Sequence, residues 1–418
     1  MPPEGCISDN QAPCKKMPKT FGSARRFKYQ IVAVARSGLG VSSLSNAAPA
    51  NRGSADGRRL RENGDKMRLP FRRRAKSVAA LDIGASSIKY VRLDRRAEGF
   101  ALAAAGIREL PIEALVADEI KDRDAVIFNI QGLLDQCDPR TTDVVVSISG
   151  HGVITDKFEV DQKTGSEAEQ AILFEAEQRS PFDVDDVSMD YHVLRTDDTR
   201  GKMEVLLVAA RREIVMEYLN LLRDAGLRTP VVDTDAFAVL NAYSINYDVD
   251  PDRVTALINI GFDTTNVVFL KDGVFHSTRD ISSGGRVIFE VIQREFRLNQ
   301  EMTMKVIRGE LEGTVDHDML RATIRSAADE LLTGMEVAFS YFKTLAKTDA
   351  VDWIVLSGGG ALIPFLPESV QSKLNVPIEI ANPLRNIEYD PDLFGELEPE
   401  KIAPVLAVGV GLAAREVY

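Results

Sequence analysis

Two segments of the chain repeat one pattern, in which a strand is followed by a glycine turn with hydroxyl side chains and then by a second strand. The first copy covers residues 81–94 and the second covers residues 258–272. A glycine allows a tight turn whose successive N–H groups face outward, and such a concavity binds anions. If the two copies face each other, they could hold a polyphosphate from both sides. The residues that would contact it are Gly84, Ser86 and Ser87 in the first copy and Gly261, Thr264 and Thr265 in the second.

Asp82 ends the strand before the first turn, where its carboxylate could hold a hydrated Mg²⁺ ion. Mg²⁺ usually keeps several waters in proteins and needs only one or two carboxylates. When Gly84 or Gly261 is considered alone, an ordinary hairpin glycine is the better explanation. The phosphate-binding interpretation therefore depends on the pair and on a third glycine-rich turn.

The third turn comprises Ser357, Gly358, Gly359 and Gly360, and it follows a predicted strand over residues 353–356. Such a turn before a helix lets a ligand approach the backbone, and the helix N-terminus favours negative charge. Many α/β proteins have a turn of this kind, and this one matches neither the Walker A pattern nor GxGxxG. It supports a nucleotide site only together with the repeat.

The elements that position these turns alternate between strands and helices. Ser166 and Glu169 form a capping-box pair at the start of one predicted helix, and Pro181 follows its end. The alternation predicts an α/β fold whose sheets are covered by helices. Predicted strands cover residues 78–84, 88–93, 100–107, 144–148, 203–210 and 254–261, and predicted helices cover residues 166–179, 213–225 and 235–243.

The composition indicates a folded protein and excludes several classes. The 418 residues are 44% hydrophobic and 27% charged, which is ordinary for a protein with a buried core. No run of about 18 apolar residues is present, which argues against a transmembrane helix. Three cysteines and four scattered histidines argue against a disulfide framework and against a zinc or histidine-rich metal centre.

The net charge of −12 is unevenly distributed along the chain. Residues 1–76 carry 17 Lys and Arg but only 5 Asp and Glu, so the remainder is strongly acidic and disfavours non-specific binding to nucleic acid. We expect residues 1–76 to be a disordered basic leader, because they contain too little apolar surface for a core. Met67 is an alternative start of the protein. The cluster at residues 72–74 is either solvated or in weak contact with an acidic membrane.

Five segments, in this order and spacing, resemble the actin-like ATPase superfamily over roughly residues 77–418. Residues 81–89 and 258–266 resemble its two phosphate loops, residues 232–243 and 403–413 its two connecting helices, and residues 354–364 its adenosine loop. The resemblance implies a two-lobed α/β actin-like ATPase fold with duplicated ribonuclease-H-like sheets and an inserted small α+β subdomain. It also implies that ATP and Mg²⁺ bind between the lobes.

Within this superfamily the sequence resembles the PilM family of type IV pilus assembly proteins, which is related to FtsA. The matching segments are residues 174–194, 204–227, 231–243, 279–285 and 356–366. The chain stops after the second connecting helix, whereas FtsA-like proteins continue into a membrane helix. The implied domains are a first-lobe core over 77–150, continued by 230–253 and 400–418, an inserted 1C-type subdomain over 151–229, and a second lobe over 254–399 with a smaller helical subdomain over 287–345.

The resemblance also implies roles for individual residues. Asp82 would bind the metal ion and act in catalysis with Asp235. Glu301 and Lys305 are one helical turn apart, and they either reach the ribose and base or form an ordinary surface ion pair. The residues implied to bind the nucleotide are Gly84, Ser86, Ser87, Lys89, Gly261, Thr264, Thr265, Asn266, Gly284, Gly285, Gly358, Gly359 and Gly360, with Glu301 and Lys305.

Two positions affect the expected chemistry. Asn259 replaces the acidic residue that is usual in the second phosphate loop, which should weaken Mg²⁺ ordering. Asp235 lies where actin-like enzymes position the attacking water, and it is either a base or a helix cap. We therefore expect ATP binding with at most slow hydrolysis.

A PilM-like protein would be a cytoplasmic ATP-binding scaffold at the inner membrane, with other pilus assembly proteins as partners and only indirect membrane contact. It would bind the N-terminal cytoplasmic tail of PilN in a groove between the inserted subdomain and its neighbour. The alternatives on this fold are an FtsA-like cytoskeletal ATPase and a small-molecule kinase. A kinase needs a carboxylate base near the phosphates, for which Asp233 and Asp235 are the candidates.

Overall fold

The computed structural model describes residues 77–179, 182–310, 315–348, 350–395 and 398–415. The predictions for residues 1–76 and for Pro181 lie outside these ranges. The strands are β1 Ser77–Ile83, β2 Ser87–Arg95, β3 Phe100–Glu109, β4 Leu115–Val116, β5 Glu119–Ile120, β6 Asp143–Ile148, β7 Val153–Asp161, β8 Val187–Asp197, β9 Lys202–Arg211, β10 Arg228–Thr234, β11 Thr255–Ile260, β12 Thr265–Lys271, β13 Val274–Ile281, β14 Trp353–Ser357, β15 Ile378–Ile380 and β16 Ile387–Glu388.

The helices are α1 Arg123–Cys137, α2 Ser166–Arg179, α3 Arg212–Asp224, α4 Asp235–Asn246, α5 Gly285–Phe296, α6 Gln300–Ile307, α7 His317–Ala327, α8 Asp329–Ala346, α9 Leu366–Leu374, α10 Pro399–Ile402 and α11 Ala407–Ala413. Among the described residues, no helix combines the length and the apolar character needed to cross a bilayer.

Two sheets share one strand order. The first contains β3, β2, β1, β6 and β10 in that order, and the second contains β13, β12, β11, β14 and β15. In each sheet the first three strands are antiparallel neighbours and the last two are added in parallel. The two segments that repeat in the sequence, β1–β2 and β11–β12, therefore occupy equivalent positions in two equivalent sheets.

The central strands are apolar because helices cover both faces of each sheet. All residues of β11 are buried, as expected for such a strand. Helices α5, α7, α8 and α9 cover the outer face of the second sheet, and α1 and α3 cover the outer face of the first. Helices α4 and α11 contribute to a core that contains Val91 from the first sheet and Val268 from the second. The two lobes are thus joined by a shared apolar core.

A third sheet is inserted in the chain between β6 and β10, with strand order β7, β9 and β8. One of its faces packs against α2 through Phe158 and Ile172. Leu206 and Val208 of β9 belong instead to the shared core, which also holds Phe237 of α4. Strand β7 lies beside β13. The inserted sheet therefore touches both lobes.

The position of β16 differs from the domain boundaries expected from the sequence. Ile387 of this strand lies opposite Phe100, so that β16 extends the edge of the first sheet in parallel with β3. The sequence assigns residues 387–388 to the second lobe. A strand of two residues has no periodicity, so its pairing leaves no signal in the sequence.

Candidate functional site

The two glycine turns form the same hydrogen bond at equivalent positions. The N–H of Gly84 donates to the carbonyl of Ser87 at 3.1 Å, and the N–H of Gly261 donates to the carbonyl of Thr264 at 3.0 Å. Each turn follows the equivalent strand of its sheet, β1 or β11. The two predicted phosphate turns are therefore one structural motif that is present twice.

Carboxylates from both sheets lie near the start of α4. Burial, followed by the charge of Asp82 and more weakly that of Asp280, raises the pKa of Asp235 to about 7. Hydrogen bonds from Ser147 and Ser149 oppose this increase. Asp82 belongs to β1 of the first sheet and Asp280 to β13 of the second. The N–H of Gly150 in the first lobe donates to Asp280 Oδ2 in the second lobe at 3.0 Å, so the ends of the two sheets lie next to each other. The region between them, which contains Asp82, Asp235 and Asp280, is called the cleft below.

Asp235 is the first residue of α4, and it does not cap the helix. The cap is Thr234, whose side-chain oxygen accepts a hydrogen bond from the N–H of Phe237 at 3.3 Å. The alternative in which Asp235 caps the helix is therefore wrong. A carboxyl group with a pKa near neutrality can accept a proton at physiological pH, which is the property required of a general base.

Asp82 and Lys89 face each other across β1 and β2 beside the first turn. Lys89 Nζ lies 3.4 Å from Asp82 Oδ2, and each side chain is 12% exposed. A Cβ atom at Gly84 would lie 3.0 Å from Lys89 Nζ. Ser86 and Ser87 are half-buried at the same turn. One cation and one carboxylate thus flank the first turn, where a phosphate group and its metal ion would need them.

The polar residues in and after the second turn differ in burial. Thr264 is half-buried in the turn, while Thr265 and Asn266 are buried in β12. The hydroxyl of Thr265 donates to the carbonyl of Ser283 at 2.8 Å, and Asn266 Nδ2 donates to Asp280 Oδ1 at 2.9 Å. Thr265 and Asn266 therefore support the turn from beneath, and of these three residues only Thr264 is not fully buried.

Asn259 belongs to a polar chain that crosses from one lobe to the other. Its Oδ1 accepts from Ser357 Oγ at 3.2 Å, and its Nδ2 donates to Asn266 Oδ1 at 3.2 Å. Asn266 in turn binds Asp280, whose Oδ2 accepts from the N–H of Gly150 in the first lobe at 3.0 Å. A carboxylate at 259 could not donate to Asn266. The chain therefore gives a structural reason for the amide at this position.

Gly284 and Gly285 bring the N-terminus of α5 against the second turn. The N–H of Gly285 donates to the carbonyl of Gly261 at 3.0 Å, and the N–H of Arg286 donates to that of Phe262 at 2.8 Å. A Cβ atom at Gly284 would lie 2.6 Å from the carbonyl oxygen of Gly261, so a side chain would prevent this approach. The two glycines border the predicted phosphate site by anchoring the turn.

The three glycines of the third turn differ in their surroundings. A Cβ atom at Gly358 would lie 2.3 Å from the carbonyl oxygen of Ile260, and one at Gly360 would lie 2.2 Å from the Ile260 side chain. Gly359 is exposed and has no atom within 4 Å of its Cβ position. Gly358 and Gly360 therefore permit packing against β11, and Gly359 is the residue that a ligand can approach.

Glu301 and Lys305 form an ion pair in the structure. Lys305 Nζ lies 2.7 Å from Glu301 Oε1, four residues apart on an exposed face of α6. Each partner shifts the pKa of the other in the direction that favours the charged pair. The structure thus contains the surface ion pair, and contact of these residues with the ribose and base stays a prediction.

Asp233 has a structural partner away from the predicted phosphate turns. It forms a buried ion pair with Arg415, which follows α11, and the two side chains are 0% and 5% exposed. Burial raises the pKa of Asp233, and the charge of Arg415 opposes the increase. Of the two carboxylates considered for a kinase, only Asp235 is therefore available at the cleft.

Three charged residues of the cleft were not among the site residues predicted from the sequence. Arg286 Nε pairs with Asp263 Oδ1 at 2.6 Å within the second lobe, and Arg286 Nη2 donates to the carbonyl of Ile112 in the first lobe at 3.2 Å. Asp118 lies in the turn between β4 and β5 and interacts with Thr264. Asp263 lies within the second copy of the repeat and Arg286 directly follows the glycine pair, so both positions could have drawn attention, whereas no repeat or motif marks Asp118.

Comparisons with known proteins agree with this arrangement. The family model described as type IV pilus assembly protein PilM matches residues 80–417. A solved structure of the PilM-PilN type IV pilus biogenesis complex is 29% identical, covers 82% of this chain and 98% of that chain, and has a TM-score of 0.71.

Two more distant structures also align. The ethanolamine utilization protein EutJ from Carboxydothermus hydrogenoformans is 13% identical, covers 81% of this chain and 89% of that chain, and has a TM-score of 0.48. MreB5 of Spiroplasma citri bound to AMPPNP is 13% identical, covers 80% of this chain and 94% of that chain, and has a TM-score of 0.44.

The duplicated sheet order, with a small three-stranded sheet inserted between β6 and β10, is the two-lobed actin-like ATPase fold expected from the sequence. The fold-class prediction is therefore confirmed. The family model spans nearly all of the described residues, which confirms the resemblance as well. The chain belongs to the PilM family of type IV pilus assembly proteins.

Proposed function

We propose that this protein is an ATP-binding scaffold of the type IV pilus inner-membrane assembly complex, present in the cytoplasm and held at the membrane through its partners. Its family supports the assembly role. The observation that carries the nucleotide-binding role is the matched pair of glycine turns at the ends of two equivalent sheets that meet at one cleft. In this proposal ATP binds between the lobes and favours the state that receives the partner.

The residues at the cleft fit a nucleotide with its metal ion. From the first lobe, the N–H groups of the first turn, its two serines and Lys89 would bind phosphate oxygens. From the second lobe, Thr264 would do so, and Gly359 would lie against the nucleoside. Within the described ranges, no three His, Cys, Asp or Glu side chains are arranged to hold a metal. Mg²⁺ would therefore be held by Asp82 together with waters and phosphate oxygens, which is its usual mode of binding.

Hydrolysis on this arrangement would be slow. Asp235 is the candidate base, since its raised pKa leaves it able to take a proton from water near neutral pH. The amide of Asn259 supplies no negative charge to the metal site, and it is already held by Ser357 and Asn266. The main chemical role of this chain would then be to bind and retain ATP, with Mg²⁺ neutralising the phosphate charge when it is bound.

We infer that the protein partner is the N-terminal cytoplasmic tail of PilN, because the similar structure is that of a PilM-PilN complex. The groove proposed for it lies along α3. This helix packs against β8 and β9 of the inserted sheet and against β10 and α1 of the first lobe. Met216 on α3 is 46% exposed, and a flexible thioether suits a surface that binds a peptide.

Two titrations test the proposed function. Fluorescent ATP with Mg²⁺ should bind the wild-type protein, and a synthetic peptide of the PilN N-terminus should bind it in the presence of ATP. A protein that binds ATP but not the peptide would contradict the assembly role. ATP-dependent light scattering would instead support a filament-forming function, and phosphate transfer to a small acceptor would support a kinase.

The position of the groove can be tested with Met216→Glu. We expect the peptide affinity to fall about tenfold or more, because the variant places a charge in an apolar contact. The matched control is Phe174→Glu on α2, since Phe174 is 62% exposed and α2 covers the face of the inserted sheet that packs in its own small core. Calorimetric titration of both variants with the peptide shows whether it binds at α3 or at α2. Loss of binding in the Phe174 variant alone would place the groove at α2.

A second pair of variants tests the third glycine turn. We expect Gly359→Leu to keep the wild-type stability and to lower the ATP affinity about tenfold, because the side chain would fill open space where the nucleoside would lie. Gly360→Ala should instead lose about 2 kcal/mol of stability, because its methyl group would displace Ile260. Urea unfolding and fluorescent ATP titration measure both effects. Unchanged ATP binding by the Gly359 variant would exclude this turn from the site.

A further inference from the structure

The hairpin formed by β4 and β5 has an unfavourable turn. Its two central residues, Ala117 and Asp118, have φ values of 50° and 66°. A two-residue turn with both φ angles positive is the type I′ turn, for which Asn-Gly is the preferred pair, and alanine adopts this conformation only at a cost. The turn is therefore kept in place by what it contacts, and its release would relieve strain.

The contacts of this turn are with the second phosphate turn in the other lobe. The N–H of Ala117 donates to Asp263 Oδ2 at 2.8 Å, and the next residue, Asp118, is close enough to Thr264 for this threonine to lower its pKa. Arg286, which pairs with Asp263, also donates to the carbonyl of Leu115 at 3.4 Å. The hairpin thus lies against the second phosphate turn.

Asp118 is poorly satisfied in this position. Its Oδ2 atom is buried without a hydrogen-bond partner, and a Cβ atom at Gly150 would lie 1.8 Å from it. Burial, with smaller contributions from the charges of Asp280 and Asp263, raises the pKa of Asp118 to about 6, and His151 opposes this increase. A phosphate group at Thr264 would add more negative charge next to this carboxylate. Asp118 and a bound phosphate therefore compete for the same place.

The same hairpin shares an apolar core with the partner-facing helix α3, since Leu115 of β4 belongs to the cluster that contains Val215 and Tyr218. Burial raises the pKa of Glu217 on α3, and the charges of Arg123, Glu119 and Lys121 in and after the hairpin act on that group. Tyr218 on α3 is buried, and after burial the charge of Asp118 is the largest influence that raises its pKa. A movement of the hairpin would therefore change the surroundings of α3.

Building on the function proposed above, we propose that the β4–β5 hairpin is a nucleotide-sensing strap: the Ala117 N–H holds it on Asp263 of the second turn until a phosphate group beside Asp118 displaces it, and the displaced hairpin changes the α3 surface that receives the partner. The strained turn, the buried unpartnered oxygen and the contacts on both sides carry this inference. The strap would couple ATP binding to binding of the partner peptide. Its residues belong neither to the phosphate turns nor to α3.

The charge competition is tested with Asp118→Asn. Asparagine tolerates the left-handed conformation and still accepts a hydrogen bond from Thr264, so the variant removes only the charge. We expect its affinity for fluorescent ATP to be about fivefold higher than that of the wild type. Glu119→Gln, on the adjacent exposed residue, should bind ATP as the wild type does. Equal affinities of the two variants would overturn the inference.

The movement is tested by hydrogen exchange of the wild-type protein. ATP should increase the exchange rate of amides 115–121 severalfold, because the Ala117 N–H then loses its bond to Asp263. Unchanged or slower exchange with ATP bound would overturn the strap. If the wild type does not bind ATP, the proposed function is wrong and the inference falls with it. If ATP binds and the hairpin does not respond, only the inference fails.

Discussion

Replacement of Gly411 by alanine should remove a large part of the stability of the protein. Gly411 lies in α11 where this helix crosses α4, and a Cβ atom there would lie 1.7 Å from the carbonyl oxygen of Ala238 and 2.5 Å from its carbonyl carbon. These are backbone atoms within the core shared by both lobes, so they cannot rotate away. We expect a loss of about 3 kcal/mol or more, out of a typical total of about 5–15 kcal/mol.

Gly409 provides the control for this substitution, because it lies in the same helix. A Cβ atom at Gly409 would lie 2.8 Å from Cγ2 of Val91, which is the end of a side chain that can shift. Gly409→Ala should therefore lose about 1 kcal/mol or less, since alanine also improves the helix propensity. Urea unfolding and the yield of soluble protein measure both variants. Equal stabilities would show that the crossing of α4 and α11 is looser than the structure indicates.

The main elements of the fold could be inferred from the sequence because their signals are local. The repeat predicted two equivalent strand–turn–strand units, and the structure contains them as β1–β2 and β11–β12 with the same hydrogen bond in each turn. Apolar periodicity and turn glycines are local signals, and they determine the elements that form these units. The helix predicted over residues 166–179 matches α2, although Ser166 is its first residue and not the cap that the predicted capping box requires.

The remaining parts of the site depend on contacts between residues far apart in the chain. Asp118 and Thr264 interact across the lobes, and the Ala-Asp pair at the hairpin turn is not a pattern that predicts a type I′ turn. Thr265 has the hydroxyl expected of a phosphate ligand, but it is buried in the sheet. Its position opposite Ile260 and Ile281 follows from the register of β12 with β11 and β13. A register is set by the whole sheet, so the residue type alone could not show it.

Asp235 illustrates a second limit of local reasoning. An aspartate at a helix start is usually a cap, but the preceding Thr234 takes that role here. The Asp235 carboxylate is therefore free of a capping role. It interacts with the hydroxyl groups of Ser147 and Ser149 and with the charges of the other carboxylates of the cleft. Its raised pKa arises from burial and from neighbours in both sheets. Residues of the two sheets become neighbours of Asp235 only in the folded protein, so the sequence alone could not show this pKa.

The first phosphate turn is tested most directly by Gly84→Asp, for which we expect the ATP affinity to fall at least about 100-fold. A Cβ atom at this position would lie 3.0 Å from Lys89 Nζ and 3.4 Å from the Ser87 carbonyl. The new carboxylate would therefore pair with the Lys89 ammonium and place a negative charge where phosphate oxygens are proposed to bind. Loss of one charged hydrogen bond and added repulsion together correspond to about 3 kcal/mol.

Gly84→Ala separates the charge from the volume of the side chain. Its methyl group meets the flexible end of Lys89, which can move, so the affinity should fall less than about fivefold. Both variants should unfold in urea near the wild-type midpoint without nucleotide, because the turn is partly exposed and its φ lies outside the left-handed region. Fluorescent ATP titration measures the affinities. If both variants lose ATP equally, the turn accepts no side chain and the charge argument is wrong; if neither does, the phosphates bind elsewhere, and Lys89 serves only to pair with Asp82.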